Sequence, residues 1–323
     1  MSKANESSTV GYISRFRDWD EKARVRVSPR RLLAEEESVG KQYFSQALVP
    51  VARHPIIREL GPSAVRTTLI QHLDSYLDFT AQFEIEVVNS VTRSIARAKS
   101  GFDLPEEMRF DAYKIYCDEG YHSVFSADLR NQVAAVTGVP SVGYDLDSFL
   151  TRFEMVKDAV PPEVRPLIGT FVVILFETLI SATLNKVPGD ESVVTAVRDT
   201  VQDHADDEAR HHFYFAKLMD LIWPRLENAH RSIIGPLLPA FIIKCLEPDY
   251  PAIERRLVYL GLNRDQVRQV MEESYPADHV ISGIRKTARA TLGILARNGL
   301  FEELRNREAF ESHGLRIETD ACI

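Results

Sequence analysis

The chain has 323 residues, 45% of them hydrophobic, and a formal net charge of −8. That is ample for one large core or two small ones, and the acidic balance, with no basic stripe, gives nucleic-acid binding no electrostatic support. The three cysteines, Cys117, Cys245 and Cys322, form no CxxC pair. They argue against a zinc finger or a disulfide scaffold and suit a reducing cytoplasm.

Residues 1–30 mix charges with little periodicity and are expected to form a mobile arm. The first residues are polar and carry no apolar stretch of the kind a signal peptide needs. Helical periodicity then dominates. It predicts helices over 35–53, 62–99, 105–137, 146–158, 163–187, 189–220, 227–246, 249–260, 264–274 and 277–304. Pro236 and Pro239 should kink or split the seventh. Nothing reads as a β-sheet. The longest apolar run, Leu167 to Leu184, is interrupted by Glu177. A carboxylate at the centre of a membrane span is costly, so a buried core helix explains that run better. One domain is expected over 31–306, with a tail over 307–323 that is either disordered or folded over the body.

Two copies of one pattern lie within these helices. Glu84, in an apolar stretch, is followed 35 residues later by Glu119 in Asp118-Glu119-Gly120-Tyr121-His122. Glu177 is followed 31 residues later by Glu208 in Asp207-Glu208-Ala209-Arg210-His211. Residues three apart share a helix face, so each copy offers a lone Glu on one helix and a Glu-x-x-His pair on the next. Two facing halves supply the ligand set of a carboxylate-bridged pair of metal ions in a helix bundle. The fold class implied is all-α, a ferritin-like four-helix bundle with additional C-terminal helices.

Glu84 is preferred to Glu86 because it falls on the apolar stripe, where a carboxylate must be paired, protonated or metal-bound. Glu177, among Phe, Val, Ile and Leu, is subject to the same demand. His204 lies four residues before Glu208 and adds a third imidazole to that column. Asp118 and Asp207 are placed to accept the outer N–H of the histidine in the opposite half, Asp118 from His211 and Asp207 from His122. Arg210 could balance the acidic cluster. A third Glu-x-x-His, Glu227 to His230, follows Pro224 in a polar helix start and reads as surface. The carboxylate-rich set, with imidazole and no thiolate, suits two iron ions, with manganese as the other fit.

The pattern of Glu84, Asp118-Glu119-x-x-His122, Glu177 and His204-x-x-x-Glu208-x-x-His211 resembles the p-aminobenzoate N-oxygenase (AurF-type) family of diiron arylamine oxygenases, over roughly residues 30–300. The resemblance implies that Glu84, Glu119, His122, Glu177, His204, Glu208 and His211 are the iron ligands. It also implies oxidation of an amine by O2 through hydroxylamine and nitroso stages to a nitro group, as in antibiotic biosynthesis. Partners would be a small-molecule amine, O2 and an external electron donor, because no GxGxxG or Fe–S cysteine set is present. A cytoplasmic homodimer is expected, without membrane or nucleic acid. Tyr76, Thr183, Asn185 and Arg285 are candidate substrate contacts, Arg285 for a carboxylate. Rival expectations on the same ligands are C–H hydroxylation or desaturation, and a ferritin-like iron oxidase or storage protein.

Overall fold

Four long helices carry the paired motifs, and their apolar residues show how they run. The structure, a computed structural model, describes residues 11–315 apart from residues 35, 37, 38, 159 and 185, and only the backbone of residues 181–183. The bundle helices are α1 (Pro62–Phe83), which continues through a short turn into α2 (Asn89–Ala96), α3 (Glu106–Thr137), α5 (Arg165–Leu184) and α6 (Thr195–Ile222). Helix α4 (Leu146–Asp158) connects α3 to α5. Among the described residues there is no β-strand, only an isolated bridge between Gln42 and Val193.

Two apolar clusters cap a polar layer. One takes Leu69, Leu73 and Leu77 from α1, Leu129 and Val133 from α3, Leu184 from α5, and Val197 and Val201 from α6. The other takes Phe83 at the end of α1, Met108, Ala112 and Ile115 from α3, Phe171 to Leu175 from α5, and Tyr214, Phe215 and Leu218 from α6. Along the chain, α1 and α6 pass from the first cluster to the second, and α3 and α5 pass the other way. The bundle is therefore up–down–down–up, with α4 as the crossover that lets α3 and α5 run parallel, as in ferritin-like proteins. Every candidate ligand lies between the two clusters.

The C-terminal helices are α7 (Asn228–Ile234), α8 (Leu238–Leu246), α9 (Tyr250–Tyr259), α10 (Arg264–Ser274), α11 (Ala277–Arg297) and α12 (Leu304–Ser312). Pro236 and Pro239 break the expected 227–246 helix through a 3-10 turn, Gly235–Leu237. The stretch Asn228–Tyr259 is long and apolar enough to cross a membrane by composition. It is broken into α7, α8 and α9, so it is not one continuous span. Helix α11 ends before Gly299, whose φ of 73° lies in the left-handed region, and the chain resumes as α12. Phe310 and Leu315 are buried, so the tail folds over the body as far as residue 315.

Three expectations need correction. Among the described residues no α-helix spans 35–53, which holds the 3-10 turns Gln46–Leu48 and Pro50–Arg53 instead. Pro50 has no N–H to continue a helix. Gln42 is instead extended, donating to Ser192 O (2.8 Å) and accepting from Val194 N (2.9 Å). The same pairing delays α6 to Thr195. The expected 62–99 helix is interrupted by a π-turn, Glu84–Val88. Third, the described part of the N-terminal arm, from residue 11, is not a loose segment. Phe16 is fully buried and Tyr12 donates to Asp111 Oδ2 (2.8 Å). Alternating Tyr12, Ser14 and Phe16 face inward, a short-period pattern that polar neighbours hide from a helical search.

Replacing Phe16 by Ala should therefore cost about 3–5 kcal/mol, the range for a buried Phe lost from a core. Urea titration of the parent and variant checks this. No change in midpoint would restore the picture of a loose arm.

Candidate metal centre

The π-turn places the first ligand. One extra residue within a helical turn rotates the rest of the helix about its axis, and such turns recur at functional sites. Glu84 opens this one and is buried, while Glu86 two residues on is exposed. Glu119 and His122 come from the middle of α3, Glu177 from α5, and His204, Glu208 and His211 from α6. Each is 5% exposed or less.

The side chains converge in two overlapping groups. One is Glu84, His122, His204 and Glu208; the other is Glu119, Glu177, Glu208 and His211. Within each group the ligand atoms lie within 4.8 Å of one another. Glu208 belongs to both. Its Oε1 is 3.0 Å from His211 Nδ1, 3.4 Å from His204 Nε2 and 3.6 Å from His122 Nδ1. Glu119 spans the two groups as well: Oε1 is 3.0 Å from His211 Nδ1 and Oε2 is 3.4 Å from His122 Nδ1. Two carboxylates thus have the placement of bridges, Glu84 and Glu177 that of terminal ligands. Glu84 Oε1 is 3.0 Å from His204 Nε2.

The outer nitrogens are held from behind. His211 Nε2 is 3.1 Å from Asp118 Oδ2, and His122 Nε2 is 3.4 Å from Asp207 Oδ2. Both rings are thereby turned with Nδ1 toward the common centre. Asp207 also accepts from the backbone N–H of Arg24 (2.8 Å) and Val25 (3.2 Å) and pairs with Arg210. Asp118 accepts from the Trp19 indole N–H at 2.7 Å. The arm contacts to these two aspartates were not foreseen. The only signal in the sequence is an aromatic and a basic run in a segment otherwise without pattern.

Electrostatics shows why the cluster calls for cations. Burial, then repulsion from Glu119, pushes Glu84 up to about 7 against the pull of His204. Burial and the neighbouring Glu208 and Glu119 carry Glu177 well above the usual carboxylate range. His204 is opposed by burial, but the Glu84 and Glu208 carboxylates raise it to about 9. Among the described residues, Glu84 Oε2, both Glu119 oxygens, Glu177 Oε2, Glu208 Oε2, His122 Nδ1 and His204 Nε2 are buried without a hydrogen-bond partner. Buried polar atoms are rarely left so. Pointing at one another, they fit two metal ions that would take up all of them.

The other expected residues divide. The Tyr76 hydroxyl is buried and makes no well-formed hydrogen bond among the described residues; Thr80, one turn on, offers it a weak one, and it feels the charges of Glu84 and Glu208. Arg285 is corrected: it is exposed on α11 and donates to the Gly314 carbonyl, away from the ligands. A surface helix face, not the pocket, is where its position on α11 puts it. Asn185, and the side chain of Thr183, lie outside the described residues. Glu227, of the third Glu-x-x-His, is exposed.

The family model described as p-aminobenzoate N-oxygenase AurF matches residues 19–299, and no curated protein matches the chain. The matched span covers most of the chain and all seven converging side chains, so the chain belongs to that family.

Metal-free protein should lose stability as pH rises. Glu84 goes from 4.5 to about 7 on folding and His204 from 6.5 to about 9. The folded state then binds more protons than the unfolded state between roughly pH 4.5 and 9, so stability falls across that window. Glu208, held well below its usual value, loses its contribution only below the window. Thermal melts of chelated protein check the slope, and added Fe(II) should raise the midpoint most at the alkaline end, where ligands are already deprotonated. Glu177→Ala should keep at most one of about two ions per chain.

Proposed function

We propose that this member of the p-aminobenzoate N-oxygenase family is a diiron N-oxygenase. It would oxidise an aryl or heteroaryl amine with O2 through hydroxylamine and nitroso levels to a nitro compound, within a natural-product pathway. The observation that supports this most directly is the set of seven buried, converging ligands, six of them with unsatisfied polar atoms, on the helices the family model matches. Glu84, His122, His204 and Glu208 would hold one iron, and Glu119, Glu177, Glu208 and His211 the other. When bound, the two irons supply the redox capacity that lets O2 oxidise a nitrogen lone pair.

The remaining chemistry falls to side chains. Asp118 and Asp207 keep the outer protons of His211 and His122, so both rings present a bare Nδ1 inward. Burial keeps the Tyr76 hydroxyl protonated. It is thus free to accept from an amine N–H or to donate to an oxygenated nitrogen. Phe83 and Phe176, each one residue before a ligand, sit with ring centroids 4.1 Å apart and Phe79 stacks on Phe83 at 5.0 Å. These rings exclude water beside the carboxylates and offer faces for an aromatic substrate. A nitrogen can be oxidised only with its lone pair free, so a weakly basic arylamine suits neutral pH better than an alkylammonium.

The test is a single-turnover reaction. Iron-loaded protein is reduced anaerobically, mixed with 18O2 and a panel of arylamines that includes p-aminobenzoate, and the products are weighed by mass spectrometry. Labelled hydroxylamine, nitroso or nitro products are expected. Label found only in C–OH products, or only in the water released on desaturating an acyl chain, would move the protein to the rival chemistry. Tyr76→Phe should lower kcat/KM about tenfold, the value of one lost hydrogen bond near 1.4 kcal/mol, with iron content unchanged.

A further inference from the structure

The centre is sealed: the ligands are 5% exposed or less, and turnover needs electrons from outside the chain. The two histidines that are backed by aspartates are closed off differently. Behind His122, Asp207 meets the backbone N–H groups of Arg24 and Val25 and the Arg210 guanidinium. None of these is an aromatic ring. Behind His211, Asp118 meets one. His211 Nε2 lies 3.1 Å from Asp118 Oδ2, and Asp118 Oδ1 accepts the Trp19 indole N–H at 2.7 Å. Asp118 is fully buried, whereas Trp19 is half-buried, with the Arg26 guanidinium 5.0 Å from its ring.

From the partly exposed indole to the imidazole there is thus an unbroken run of covalent and hydrogen bonds. Electronic coupling decays more slowly through such a run than across van der Waals gaps. Phe16 adds a ring stacked 6.1 Å from His211 at an interplanar angle of 15°, but it is fully buried and has no hydrogen bond to the path.

We propose that Trp19, acting through Asp118 and His211, is the relay by which electrons enter the buried metal pair. The proposal rests on the diiron reading of the site. The step is outer-sphere: a one-electron donor at the surface is oxidised, one Fe(III) is reduced to Fe(II), and no bond or proton changes hands. Two such transfers complete reduction. An indole that only anchored the arm would have no such consequence.

The experiment is anaerobic stopped-flow reduction of the iron-loaded, oxidised protein by the methyl viologen radical cation, followed by loss of its blue colour. Each radical delivers one electron and becomes the dication. Trp19→Leu removes the ring, and Trp19→Phe keeps a ring but loses the N–H donor. The expected order is parent, then Phe, then Leu, with Leu slower by at least tenfold at unchanged iron content. The reduction potential of each protein is measured alongside, because about 59 mV would change a one-electron equilibrium tenfold without any relay.

A loosened arm predicts the opposite sign, since an opened centre is reduced faster or loses iron. A Leu variant within twofold of the parent overturns the proposal, as does a slowing that the potential shift fully accounts for. Failure of the parent to bind two irons would instead overturn the metal reading itself.

Discussion

Seven ionisable side chains share one buried interior, and the structure depends on how their charge is resolved. An ion taken out of water costs several kcal/mol even after relaxation. Four glutamates packed within a few ångström of each other add mutual repulsion, seen in the upward push on Glu84 and Glu177. Histidine protonation offsets part of this. It cannot satisfy all the orphaned oxygens, because the imidazole nitrogens that face them are themselves unpaired at His122 and His204. Two divalent or trivalent ions held by these ligands would resolve both problems at once. The two apolar clusters above and below supply the rigidity that keeps the ligands from swinging out to water instead.

The layer behind the ligands is organised by the same constraint. Asp118 and Asp207 bring further negative charge into the interior, and each needs donors. Those donors come from α6, through Arg210, and from the N-terminal arm, through Trp19 and the backbone at Arg24 and Val25. The arm then continues its grip with Ser28 on Asp203 at 2.8 Å and Arg31 on the same carboxylate. A segment with no helical periodicity is ordered because it satisfies buried acids that the helices cannot satisfy among themselves. Thr291 on α11 performs a smaller service on the opposite flank, donating to the Thr178 carbonyl next to Glu177 (3.0 Å).

The same constraint decides which features are legible in the chain alone. The ligands are legible because a carboxylate on an apolar stripe is anomalous by itself and because helical spacing of three or four is rigid. The long helices are legible from their periodic runs, though not the parallel run of α3 and α5 past the α4 crossover, and the break at Pro236 is legible from proline's missing N–H. The arm is not, since its order arises from long-range contacts to Asp118 and Asp207, and the alternation of Tyr12, Ser14 and Phe16 is too brief to mark it. The π-turn is equally hidden, as one inserted residue barely disturbs an apolar stripe. Arg285 misleads because a lone basic residue on a late helix says nothing of which face it occupies.

The two halves of the site are related by sequence pattern but unequal in chemistry. One group has two imidazoles, His122 and His204, with Glu84 as its terminal carboxylate. The other has one imidazole, His211, with Glu177. Glu119 and Glu208 lie between the two groups, so each group meets three carboxylates and the first has one more neutral imidazole. Glu177 sits amid apolar side chains of α5, while Glu84 opens the π-turn after α1. An ion in the Glu177 group would therefore be held with one imidazole, and an ion in the Glu84 group with two. Tyr76, on α1 two turns before Glu84, faces the second of these. The two-imidazole group and the Tyr76 hydroxyl lie on the same side, so the Glu84 face, more than the Glu177 face, offers a polar group beyond the ligands themselves.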